Sequence, residues 1–236
     1  MELPAGAPLK DKIQAERNKL REMTFKKKLE YIWDYYKFPI IGFFVVLIFI
    51  GSLLNIRYFN PPPGTALFVA WSAGFATEEQ LDDLKNILGE RIIDEAENEE
   101  VSISLFLESE VNPAFSSANA QRLVAMVAAG EIDVFITDKQ LLEEFSENGI
   151  LMPLDHMLAE IKERNPTVHS RIEENITYAL YRAENGSTTE RITGIQIGSS
   201  PLLTELDFFE QELFFCISVT SGKHENNILA LITLFE

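Results

Sequence analysis

The chain has 236 residues, is 46% hydrophobic and 24% charged, and carries a formal charge of −17. The apolar content is that of a folded chain with a sizeable core, whereas the acidity, carried by residues 38–236, excludes a surface there built to attract nucleic acid or anionic lipid at long range. A single cysteine, Cys216, excludes an intramolecular disulfide.

In chain order, residues 1–8 read as a tail and Lys10–Tyr36 as a helix. Within it Leu29, Ile32, Trp33 and Tyr36 recur at three- and four-residue spacing, so they share an apolar face. Lys26, Lys27 and Lys28 precede that face. Basic side chains beside Trp33, Tyr35 and Tyr36 suit the inner headgroup layer of a bilayer. Residues 1–37 are therefore expected to form a cytoplasmic basic amphipathic helix.

Residues 38–56, Phe38–Ile56, contain no charge over 19 positions, and Lys37 and Arg57 close the run. As a helix the run spans roughly 28 Å, close to the ~30 Å hydrocarbon core of a bilayer. It is expected to be a transmembrane helix. Residues 1–37 hold nine Lys/Arg and six Asp/Glu, a sum of +3; residues 38–236 hold 11 and 31, a sum of −20. Positive charge beside a span stays in the cytoplasm, so the acidic part is expected outside. No A-x-A site follows in RYFNPPPG, and no cysteine for lipid attachment, so the span reads as an uncleaved signal anchor. Residues 57–64 then form a spacer stiffened by Pro61, Pro62 and Pro63.

From residue 65 to 236 strands alternate with helices. Thr65–Ser72 is an apolar run of strand length. Thr77 and Gln80 form a capping box, and Leu81, Leu84, Ile87, Leu88 and Ile92 mark a buried helix stripe. Val101–Leu107 and Asp133–Thr137 read as further strands, with a helix between them that stops at Gly130. A helix over Lys139–Ser146 stops at Gly149, and a short one around Met157, Leu158 and Ile161 ends at Asn165-Pro166. Ile176–Arg182 and Glu190–Ile197 flank an Asn185-Gly186 turn and read as a hairpin. Ser199-Ser200-Pro201 starts a helix. Leu213–Val219 is a strand in which Cys216 is a buried small hydrophobe, and Asn226–Phe235 is a last helix. The expected fold is α/β: one N-terminal transmembrane helix, then a single three-layer domain. Its sheet is expected to be mixed and mostly parallel, with about five strands plus a hairpin.

Three segments carry a family resemblance. They are GEIDVFITDKQLLEEFSENGILMPL at 130–154, continued by Asp155; GIQIGSSPLL at 194–203; and FFCISVTSGKHENNILALITLF at 214–235. In this order they resemble the extracytoplasmic solute-binding proteins of bacterial ABC transporters, of the type II periplasmic-binding-protein-like class. Only 20 residues, Asn165–Glu184, lie where such proteins insert a second lobe. The resemblance therefore implies one lobe, held to the membrane by its own span. The anchor, KKKLEYIWDYYKFPI, is similar to that of single-pass proteins of Gram-positive bacteria.

No catalytic constellation stands out. His156, His169 and His224 are far apart, so no zinc motif is expected. No G-x-S-x-G elbow or phosphate loop occurs. Asp155-His156 reads as a helix start, and Glu95, Glu97, Glu99 and Glu100 lack the spacing of a calcium loop. A ligand is expected at the carboxyl ends of parallel strands, which places Trp71, Ser72, Glu108, Ser109, Thr137 and Asp138 at the candidate site. Ser199 and Ser200 are added as helix-start donors. The expected function is a non-enzymatic membrane-anchored binding or sensor module without a cofactor. The alternative is a structural subunit of an envelope or transporter complex. The expected partners are the lipid bilayer and other membrane or envelope proteins.

Overall fold

The computed structural model describes residues 10, 14, 17, 18, 21, 23–59, 61–94, 98–106, 113–183, 185–208 and 212–236, with backbone alone at 32, 35 and 113–115. The chain divides into two compact units, Met1–Pro62 and Pro63–Glu236.

In the first unit, α1 (Phe25–Leu54) continues into a π-helical turn over Asn55–Phe59. Its stretch Tyr36–Phe59, 24 residues, is long and apolar enough to cross a membrane. Phe43, Phe44, Ile48, Phe49 and Leu53 are all exposed around its circumference. A helix that is apolar all round needs an apolar environment on every side. One helix runs through Pro39, where the missing amide removes one internal hydrogen bond.

The second unit is built on a six-stranded sheet of order β2-β1-β3-β6-β5-β4. The strands are β1 (Gly64–Trp71), β2 (Glu99–Leu105), β3 (Val134–Thr137), β4 (Ile176–Arg182), β5 (Thr188–Gln196) and β6 (Phe214–Ile217). The helices are α2 (Glu78–Ile92), α3 (Pro113–Ala129), α4 (Lys139–Glu147), α5 (Asp155–Arg164), α6 (Pro166–Glu173), α7 (Pro201–Glu205) and α8 (His224–Phe235). β1 pairs in parallel with β2 and β3, whereas the β3–β6, β6–β5 and β5–β4 pairings are antiparallel.

This corrects the expectation of about five strands plus a hairpin in a mostly parallel sheet. The hairpin is the sheet's own edge, and antiparallel pairings outnumber parallel ones. The cause lies in the connection after β5. The Ile197 amide donates to the Leu213 carbonyl at 2.8 Å, so the chain leaves and re-enters the sheet at one end. β6 must then run back against β5.

Strand alternation sends side chains to two faces. Leu67, Val69, Trp71, Val134, Ile136, Phe215 and Ile217 share one apolar core, and Ala70, Phe135, Phe214 and Cys216 belong to another. Helices α2, α5, α6, α7 and α8 cover the first face, and α3 and α4 the second. Ile228, Leu231, Leu234 and Phe235 bury α8 in the first core, where it touches α2, α5, α6 and α7. On the second face Gly194 leaves room for the Leu142 side chain, which occupies the position its Cβ would take. α4 stops at Gly149, whose φ of +70° favours glycine.

Cys216 is fully buried on that second face, 3.8 Å from the Thr137 hydroxyl. Burial pushes its thiol up to about 12, against the smaller pull of that hydroxyl. The thiolate is the reacting form, so labelling by an aromatic disulfide at pH 8 is expected to run roughly a thousandfold slower than for a free thiol. Denaturant should restore the fast rate; fast labelling of the folded protein would contradict this packing.

Candidate functional site

The carboxyl ends of β1 and β3 open onto the second face of the sheet, between α3 and α4. There a cleft of about 240 Å³ is lined by Ser72, Phe106, Asn119, Leu123, Leu141 and Phe145. The Ser72 amide donates to the Ile136 carbonyl at 2.7 Å, which ties the residue after β1 to β3. Its Oγ is buried and finds no partner among the described residues. A buried hydroxyl without a partner costs roughly 1–3 kcal/mol, so a ligand that bonds to it gains from relieving that cost. The Arg122 guanidinium lies over the Phe106 ring, 5.1 Å from its centroid. Glu144 also lines the cleft. The surface can take a small, largely apolar molecule with one or two hydrogen-bonding groups.

The other candidate residues have different places. Trp71 is fully buried, donates from its indole to the Ala73 carbonyl at 2.5 Å, and stacks on Phe208 with centroids 5.2 Å apart. Thr137 is buried against Cys216. Asp138 is exposed and caps α4 by accepting from the Leu141 amide at 2.8 Å. Ser199 is exposed. Ser200 is buried, and its Oγ finds no partner among the described residues. It begins α7, which has only five residues, too short to present the first-turn amides of a lasting helix. Glu108 and Ser109 lie outside the described residues. Of the candidates that are described, Ser72 alone lines the cleft.

A second assembly lies at the opposite end of the sheet, where β6 ends and α5 and α8 begin. His156 and Glu160 stand one turn apart on α5, and His224 opens α8. His224 Nε2 and Glu160 Oε2 are 2.7 Å apart. The His156 and His224 rings are 6.1 Å apart, and one ligand-capable atom from each of the three residues lies within 4.8 Å of the others. The second Glu160 oxygen pairs with Arg164, which also grips Glu225 at 2.6 and 2.9 Å. The bond from His224, then the Arg164 charge, holds the Glu160 carboxyl below its usual range; Arg164 does the same for Glu225.

Beside this assembly is a cleft of about 370 Å³ that includes Met152, His156, Met157, Ser221, His224 and Asn227 in its lining. Asn227 is 1% exposed. Its Nδ2 donates to Ser221 Oγ at 3.0 Å, while its Oδ1 has no partner among the described residues. Ser221 donates to Asp133 Oδ1 at 2.7 Å, and Asp133 Oδ2 accepts from the Phe68 amide at 2.9 Å. The assembly is not legible in the sequence, where His224 lies far from the other two residues. The one local signal was Glu160 four residues after His156; His224 arrives only when α8 packs beside α5.

No protein-family model, curated protein or solved structure matches the chain.

Proposed function

We propose that the protein is a non-enzymatic, single-pass membrane-anchored binding or sensor module. Its α/β domain works as one solute-binding-like lobe outside the membrane, with the basic segment before the span in the cytoplasm. The apolar helix over Tyr36–Phe59 supports anchoring. The +3/−20 division of charge on either side of residue 38 supports the orientation.

The observation that carries binding is the Ser72 hydroxyl, buried without a described partner in a largely apolar cleft. The cleft lies at the carboxyl ends of parallel strands, where open α/β sheets place their ligands. A small amphipathic solute or a peptide side chain fits its size and lining.

The test is a thermal-shift screen of the full chain in detergent against small solutes and short peptides. A saturable rise in melting temperature that Ser72→Leu abolishes is expected. No rise with any compound would sink the proposal. A second reading, a structural subunit of an envelope or transporter complex, draws on the edge strand β4, where Tyr178 and Leu180 are 59% and 51% exposed. Crosslinking in intact cells that captures a stoichiometric membrane partner, without any thermal shift, would favour it.

A further inference from the structure

We propose that His156, Glu160 and His224 bind a divalent transition-metal ion of zinc-like softness, which clasps α5 to α8. The site is independent of the strand-end cleft and lies at the other end of the sheet.

Two imidazole nitrogens and one carboxylate oxygen are a donor set that suits zinc. In a tetrahedral site with bonds of about 2.0–2.2 Å, donor atoms stand roughly 3.3 Å apart. Here the three donors lie within 4.8 Å of one another, and the His224–Glu160 pair is at 2.7 Å. Both histidines are exposed, so modest rotations of their rings close the remaining distance without disturbing the core. The supports are already in place. His156 and Glu160 share one face of α5. Arg164 holds the Glu160 oxygen that does not face His224, and Glu225 holds Arg164. Such outer contacts orient metal ligands.

Asn227 lines the same cleft as His156 and His224. Its carbonyl oxygen is buried, faces no donor among the described residues, and belongs to a residue lining the adjoining cleft. Three protein ligands leave a fourth position on zinc for water. An exposed ion pair between His224 and Glu160 would not explain the approach of His156 to both.

The test uses the tag-free full chain in nanodiscs, stripped with chelator and titrated with Zn²⁺ by calorimetry. One saturable site per chain is expected, together with a rise in melting temperature. His156→Ala and His224→Ala should each weaken binding by at least about tenfold, and Arg164→Gln by a smaller factor. Substituted Co²⁺ should show the intense visible bands of a tetrahedral site, lost in either alanine variant. Absence of saturable binding would overturn the proposal, as would binding that both alanine variants leave intact. Ser72→Leu should leave zinc binding unchanged, so failure here and failure of the strand-end cleft can be told apart.

Discussion

Replacing Trp71 by alanine is expected to destabilise the α/β domain by about 3–5 kcal/mol, the range for truncating a large aromatic in a core. The residue is fully buried at the end of β1, stacked on Phe208 at an interplanar angle of 28°. Truncation leaves a void between β1 and Phe208, and strips the Ala73 carbonyl of its indole donor. Against a total stability of about 5–15 kcal/mol for an ordinary domain, this is a large fraction. The urea midpoint should fall by roughly 2 M for a slope of about 2 kcal/mol per M. Trp71→Phe keeps a ring against Phe208 and should lose about half as much. Urea unfolding followed by circular dichroism decides between core and site. An unchanged midpoint with altered ligand response would return Trp71 to the binding surface.

Placing arginine at both Leu47 and Ile48 should release the protein from membranes. The two positions lie near the middle of the Tyr36–Phe59 helix and project from different sides of it. Each arginine at a helix centre costs about 2.5–3.5 kcal/mol of insertion. The pair therefore costs about 6 kcal/mol, a shift of roughly 10⁴-fold in partition. Carbonate-washed membranes should retain the unaltered chain and lose the variant. Equal retention would mean that this helix does not hold the protein in the bilayer. The same preparation tests orientation: protease outside sealed cells should digest residues 63–236 of the unaltered chain, and their protection would reverse the proposed topology.

What could be read from the sequence was mostly local. Thr77 and Gln80 satisfy each other's backbone amides as a capping box, so the start of α2 was legible from four residues. The Asn185-Gly186 pair placed the β4–β5 turn, where Gly186 has φ of +80°. In the sequence the Asn165-Pro166 pair signals only a stop. In the structure it is also a start, with Asn165 accepting from the Val168 amide to cap α6. Nothing local specifies which strand lies beside β3; that depends on where the 197–213 connection lies, a matter of tertiary packing. The candidate site divides in the same way. The position of Ser72 at the strand-end cleft is legible because strand ends are visible in a hydrophobic pattern. The approach of His224 to His156 was not visible, because 67 residues separate them in the chain and their meeting depends on how α8 seats among four other helices.

That seating has a consequence for how the protein is made. Every helix that covers the first face of the sheet, apart from α8, is synthesised before residues 224–235. Leu81, Leu84, Met157, Ile161 and Leu203 share a core with α8, so on a growing chain they face an incomplete surface. The domain cannot close that surface as the ribosome proceeds; it must wait for its last helix. Until then the nascent chain presents apolar side chains to the solvent and to its neighbours, the condition in which chaperones engage a protein. Translational pausing before codon 224 should accordingly lengthen the time in which the chain is held by such factors, and aggregation should concentrate in chains truncated there.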